Sequence, residues 1–223
     1  MRFSLYLHRF GFFVFIFFAL LCAPAFAQED VFRLMLIGDD FLAGETLTEQ
    51  ETFVYSLQKK LYLDGYNNVL VLNETKPGRT AEEVHKNIDS FLIQNPHAVI
   101  LAVGYRDITS EDPKDLEDLT QDLESIVTTF QKAQTPVMLV GMELPETKPV
   151  QYRQAFENLY RYIAQEHNDI LYPFLMDGVF PTLFGIQLKG HVLSNSVNPD
   201  PTGIEIILNR MYPTIIRFLQ QPV

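Results

Sequence analysis

Beyond its first 27 residues the chain alternates short apolar runs of strand length with longer segments whose apolar positions recur at helical spacing. Val31 to Ile37 is the first strand expected, closed by Gly38. The segment after it carries Phe53, Val54, Leu57 and Leu61 on one face, opens on Thr48-x-x-Glu51 as a capping box and stops at Gly65, the pattern of an amphipathic helix. Val69 to Leu72 predicts a second strand. A second box, Thr80-x-x-Glu83, predicts a helix with the stripe Val84, Ile88, Phe91 and Leu92, closed by Pro96.

His97 to Val103 is apolar almost throughout, as a strand covered on both faces must be. Next comes a helix from about Asp115 through Leu119, Leu123, Ile126 and Phe130, with acidic residues in its first turns where the helix dipole favours them. Val137 to Met142 predicts strand four, Phe156, Leu159 and Ile163 mark another helix, and Ile170 to Tyr172 a fifth strand. A final helix starts at Asp200-Pro201, Asp as N-cap and Pro in the first turn. Parallel strands need long, right-handed crossovers, so five strands separated by helices imply a three-layer α/β/α sandwich around a flavodoxin-like five-stranded parallel sheet. Ligands of such sheets sit beyond the carboxyl ends of the strands. Leu175 to Ser194 shows no periodic pattern and is expected to be an irregular loop bordering that end.

The first 27 residues read as an export signal. Arg2 and Arg9 give a basic start, Phe10 to Cys22 is apolar, and Ala25-Phe26-Ala27 is a small-x-small cleavage site before Gln28. The apolar run is short for a spanning helix; an uncleaved anchor is the competing reading. Cleavage leaves a single domain, residues 28–223, with no cysteine, since the chain's one Cys is Cys22. It is expected to be periplasmic or secreted, with no membrane span. The chain holds 17 basic and 28 acidic residues; two of the basic ones are in the leader, so the mature domain has 15 against 28, a net charge of −13. Such acidity argues against nucleic acid or anionic lipid headgroups as partners.

Gly38-Asp39-Asp40-Phe41-Leu42-Ala43-Gly44 follows strand one, Gly78 strand two and Gly104-Tyr105-Arg106-Asp107 strand three, while Asn195-Ser196-Val197-Asn198-Pro199 precedes the last helix. In this order the segments resemble the SGNH, or GDSL-type, hydrolase superfamily, within it the secreted thioesterase I/arylesterase branch. Glu143-Leu144-Pro145, Tyr152 to Tyr160 and Tyr172 to Met176 share that likeness, which covers most of Val31 to Leu219.

The resemblance implies the SGNH hydrolase fold and a serine nucleophile at position 40. Oxyanion donors are implied from the backbone at 40, from Gly78 and from an asparagine at 106, and an Asp-x-x-His pair at 195 and 198. A serine hydroxyl is a poor nucleophile until a base held in the right tautomer takes its proton, and the oxyanion needs preorganised donors. Only Gly78 matches. The other positions hold Asp40, Arg106, Asn195 and Asn198.

Two readings follow. One is a non-catalytic exported domain, a pseudoenzyme whose partner is a small molecule, an acyl or lipid group, or a protein. The other is a carboxylic ester or thioester hydrolase working through non-standard residues. Loss of both nucleophile and base favours the first. No cofactor is expected. Asp39, Asp40 and Asp107 together suggest a hard-cation site, which the Arg106 charge opposes, so no metal is expected either. Asp40 and Arg106, opposite charges at facing positions, are expected to form a bidentate ion pair across the former oxyanion pocket and plug it. His191 on the irregular loop is a remote candidate base; His85, His97 and His167 fall at helix or strand positions and read as structural. Phe174, Phe180 and Phe184 are expected near the rim, where core packing explains them as well as an acyl groove does.

Overall fold

Four consecutive fully buried side chains, Leu34, Met35, Leu36 and Ile37, mark β1 (Phe32–Gly38) as an interior strand of the sheet, covered on both faces. The computed structural model describes residues 31–179, 182–183, 186–187, 190–193 and 198–221. The proposed leader, residues 1–27, lies outside them.

In chain order β1 is followed by α1 (Asp40–Ala43), α2 (Phe53–Leu63), β2 (Val69–Thr75), α3 (Ala81–Lys86), α4 (Ile88–Leu92) and β3 (Ala98–Ala102). Then come α5 (Tyr105–Thr109), α6 (Leu116–Lys132), β4 (Val137–Val140), α7 (Val150–His167), β5 (Ile170–Tyr172), β6 (Thr182–Leu183), β7 (Ile186–Gln187) and α8 (Pro201–Leu219). The five-stranded sheet has the order β2-β1-β3-β4-β5 and every pairing in it is parallel. Helices flank it: α2 packs on α8, while α6 packs on α3 and α7. Among the described residues no helix is long and apolar enough to cross a membrane.

Two registers place the site. Gly38 pairs with Thr75 of β2 and with Ala102 of β3, so the three strands end level and the segments leaving them start side by side. The chain winds outward from β1 to β2 and then returns to β3 on the other side, which opens a crevice at the carboxyl end of β1.

The structure departs from the pattern-based reading in four places. The Thr48/Glu51 box closes a short 3-10 turn, with Thr48 N–H donating to Glu51 Oε2 at 2.9 Å, while α2 is capped separately by Thr52, whose Oγ1 accepts from Tyr55 N–H at 3.4 Å. The helix expected from Thr80 to Pro96 is broken at Asn87 (φ −112°, ψ 19°) into α3 and α4. β2 runs on through Asn73-Glu74-Thr75, as an edge strand can, because only its β1 side must be paired. The region expected to be irregular holds an antiparallel pair, β6 with β7, and an antiparallel bridge between Val192 and Pro199.

Candidate functional site

Asp39 begins the site. Its backbone is extended (φ −99°, ψ −155°), its Oδ1 accepts from Phe41 N–H at 3.3 Å as the cap of α1, and Gly44 ends that single turn in the left-handed region (φ 59°). The Asp39 side chain is wholly buried and its Oδ2 accepts no hydrogen bond. Burial pushes its carboxyl well above the usual range; Phe41 N–H opposes this, the Asp40 and Asp107 charges add to it, and Arg106 counters them. Asp39 therefore supports the turn from beneath, and residue 40 is the first whose side chain can face the crevice.

Asp40 Oδ2 accepts a hydrogen bond from Gly78 N–H at 3.2 Å, and Arg106 Nε stands 3.7 Å from the same oxygen. The bidentate, enclosed pair expected from the sequence is not what forms. The contact runs through one nitrogen to one oxygen beyond hydrogen-bond length, and the arginine side chain is 45% exposed against 20% for the aspartate. A tight fork would need the guanidinium edge turned fully inward. Here Gly78 N–H is the closer partner of Asp40, and Arg106 lies over it from the solvent side.

Two structural devices hold Gly78 and Arg106 in place. Asp107, buried at 2% exposure, accepts from Ala81 N–H with both carboxylate oxygens, at 3.1 and 2.9 Å. It ties the start of α3, three residues past Gly78, to α5, the turn that follows β3. Burial raises the Asp107 carboxyl, and the backbone N–H groups of Ala81 and Glu82 oppose the rise. Gly104 is the second device. At φ 122° it adopts a conformation that side chains resist, and a Cβ there would lie 2.4 Å from Tyr160 Oη. That hydroxyl donates to Val103 O at 3.0 Å, so the backbone before α5 runs directly against α7. An edge contact between Phe41 and Tyr105, ring centroids 4.7 Å apart, joins α1 to α5.

Asn198 reaches the same place from the far end of the chain. Its backbone oxygen accepts from Leu193 N–H at 2.9 Å, and it lines a cavity of about 150 Å³ together with Asp40, Phe41, Glu45, Thr46 and Leu193. Asn195, with Phe180 and Phe184, lies outside the described residues. Among the described residues that line this cavity there is no histidine. The backbone of His191 bonds to Val179 and Asp200. His85 pairs with Asp122 at 2.7 Å, His97 Nδ1 accepts from Arg33 N–H at 3.0 Å, and His167 sits 3.2 Å from Gln131 Oε1. Among the described residues no group of three His, Cys, Asp or Glu side chains is arranged to hold a metal ion.

The structure therefore brings together Asp40, Gly78, Arg106 and Asn198. The parts missing from the sequence reading were the anchoring role of Asp107 and the Tyr160–Gly104 contact. Tyr160 lies at helical spacing from Phe156 and Ile163, and the pattern alone makes it one more core residue.

Comparison with known proteins gives the chain its relatives. Residues 36–192 match the GDSL-like Lipase/Acylhydrolase family. The chain is 26% identical over 184 residues to Esterase TesA of Pseudomonas aeruginosa, covering 82% of this chain and 87% of that one. It is 26% identical over 168 residues to the Thioesterase 1/protease 1/lysophospholipase L1 of Escherichia coli, covering 74% of this chain and 76% of the relative. Among solved structures, that of TesA superposes with a TM-score of 0.74 at 24% identity, over 82% of this chain and 97% of the other. The psychrotrophic esterase EstA from Pseudoalteromonas sp. gives 0.74 at 22% identity, over 85% and 99%. These two likenesses establish the fold.

Proposed function

The chain belongs to the GDSL-like Lipase/Acylhydrolase family, and from that premise we propose that it is an exported, non-catalytic member, a binding, scaffolding or regulatory domain whose acyl-transfer site is closed from within. The observation that carries the reading is the hydrogen bond from Gly78 N–H to the Asp40 carboxylate. In acyl transfer such a donor must be free to meet the charge that develops on the substrate oxygen. Here a resident carboxylate oxygen already takes it.

The other parts agree. A carboxylate at position 40 has no hydroxyl proton to lose, and Asn198 is an amide that accepts no proton at neutral pH. Arg106 adds a fixed positive charge that strengthens the hold on Asp40. The export reading rests on Arg2, Arg9, the apolar run and Ala25-Phe26-Ala27, and places the domain in the periplasm or outside the cell. Its acidity argues against nucleic acid as a partner. A small molecule, an acyl or lipid group, or a protein remains the partner class.

The rival reading is ester or thioester hydrolysis with Asp40 as a carboxylate nucleophile. That route still needs a base for the hydrolytic water. Turnover of short-chain nitrophenyl esters and acyl thioesters by the purified protein, beside an Asp40→Asn variant, separates the two. Background rates in both are expected. Turnover that disappears in the variant overturns the proposal.

A further inference from the structure

A groove of about 550 Å³ lies at the amino ends of the strands, opposite the end that carries Asp40. Phe32, Val137, Phe218 and Leu219 give it apolar walls. The last residues of α7 and α8, and Gln131 at the end of α6, border it, so three helix carboxyl ends, each with partial negative charge, converge there. No lysine or arginine is among the described residues that line it.

One carboxyl group in this wall lacks a full set of partners. Gln131 Nε2 donates to His167 O and to Asp169 Oδ1, each at 3.0 Å, and so spends both its hydrogens. Asp169 Oδ2 is shielded from water and accepts no hydrogen bond. Burial raises the Asp169 carboxyl to about 6, against the smaller opposing effects of Gln131 and His167.

We propose that this groove binds an organic cation with an apolar body, a primary ammonium on an alkyl or aryl frame, whose head donates to the Asp169 carboxylate while the frame lies on Phe32, Val137 and Phe218. An ammonium brings only donors and a positive charge; Asp169 Oδ2 has no donor, and His167 is the one basic side chain among the described lining residues. In this proposal the carboxylate of Asp169, a residue only partly buried, turns so that Oδ2 meets the head. An anion of the same shape meets Asp169 and the helix ends with the wrong sign, and a neutral alcohol gains no ion pair. The volume is that of a small-molecule site. The site is separate from the Asp40 crevice, so it stands whether or not the chain hydrolyses esters.

The test is a titration of the isotope-labelled protein with phenethylamine at neutral pH, followed by amide chemical shifts, with 2-phenylethanol and phenylacetate as neutral and anionic frames. Saturable shifts are expected at Phe32, Gln131, Asp169 and Leu219. The alcohol should bind at least about tenfold more weakly, and Asp169→Asn should reduce the amine to the alcohol's level. Phenylacetate should produce no saturable shift. Should the variant fail to fold, the amine-to-alcohol ratio on the unaltered protein decides alone. Equal affinity of amine and alcohol, shifts centred on Asp40 instead, or no saturation by roughly 10 mM, the range of a weak fragment, overturns the proposal.

Discussion

Asp40 and Gly78, 38 residues apart in sequence, are joined by a 3.2 Å hydrogen bond in which the glycine N–H donates to the aspartate carboxylate. The level ends of β1 and β2 make the meeting possible, because Gly38 and Thr75 are register partners and each strand then needs only a few residues to reach it. A carboxylate oxygen resembles the charged oxygen of a tetrahedral intermediate in both charge and acceptor capacity. On the proposed reading, the chain supplies its own anion in place of a substrate. Arg106, half-exposed and 3.7 Å away, contributes charge and no hydrogen bond to that oxygen, and an ion pair so open to solvent adds little to stability.

If the scaffold has kept the geometry of its relatives, restoring the four side chains together should restore chemistry. The combined variant Asp40→Ser, Arg106→Asn, Asn195→Asp, Asn198→His is expected to hydrolyse short-chain esters at least about a hundredfold above the unaltered protein, the scale of one added general base. Asp40→Ser alone is expected to stay at background, since a serine without its base is not activated. Steady-state ester kinetics on both variants check this.

Gly104→Ala should destabilise the fold by about 2 kcal/mol or more, combining a side chain at positive φ with a contact 2.4 Å from Tyr160 Oη. Adding Tyr160→Phe removes the colliding oxygen and should recover part of the loss. Denaturant unfolding of the two single variants and the double variant measures the coupling between them.

Asp107→Ala leaves Ala81 N–H buried without an acceptor, at a cost of about 1–3 kcal/mol. Because Asp107 anchors the start of α3 just beyond Gly78, hydrogen exchange should speed up at Ala81 and Glu82 well before the rest of the sheet responds.

Asp169 sets a pH dependence of unusual sign. Its folded carboxyl titrates near 6, above the value of about 3.9 in an unfolded chain. The folded state thus holds the proton more tightly. This group's contribution to stability is complete below about pH 4 and is lost as pH rises through 6. Asp169→Asn should therefore stabilise the protein at pH 8 by about 1 kcal/mol, discounted for partial exposure, with the gain fading towards pH 4. Thermal midpoints across that range provide the check.

Strand positions were legible because a strand buried on both faces must be apolar, as Leu34 to Ile37 and Ala98 to Ala102 are. The polar end of β2 was hidden for the complementary reason. Asn73, Glu74 and Thr75 lie on an edge, where pairing on one side suffices and no apolar pattern is required. The single turns α1 and α5, which carry Asp40 and Arg106, are too short to show a helical period. The five positions Asp40, Gly78, Arg106, Asn195 and Asn198 could be marked through the family resemblance. The tilt of Arg106 towards solvent could not, since it depends on how Gly104, Tyr160 and Asp107 fix the turn in three dimensions.

The central claim is that position 40 no longer yields an activated oxygen. Intact-mass measurement of the purified protein after incubation with a reactive phosphonate ester tests it most directly, with the fourfold back-substituted variant as the comparison. The unaltered protein is expected to keep its mass while the variant gains one phosphonyl group on residue 40. A stoichiometric adduct on the unaltered protein would contradict the claim.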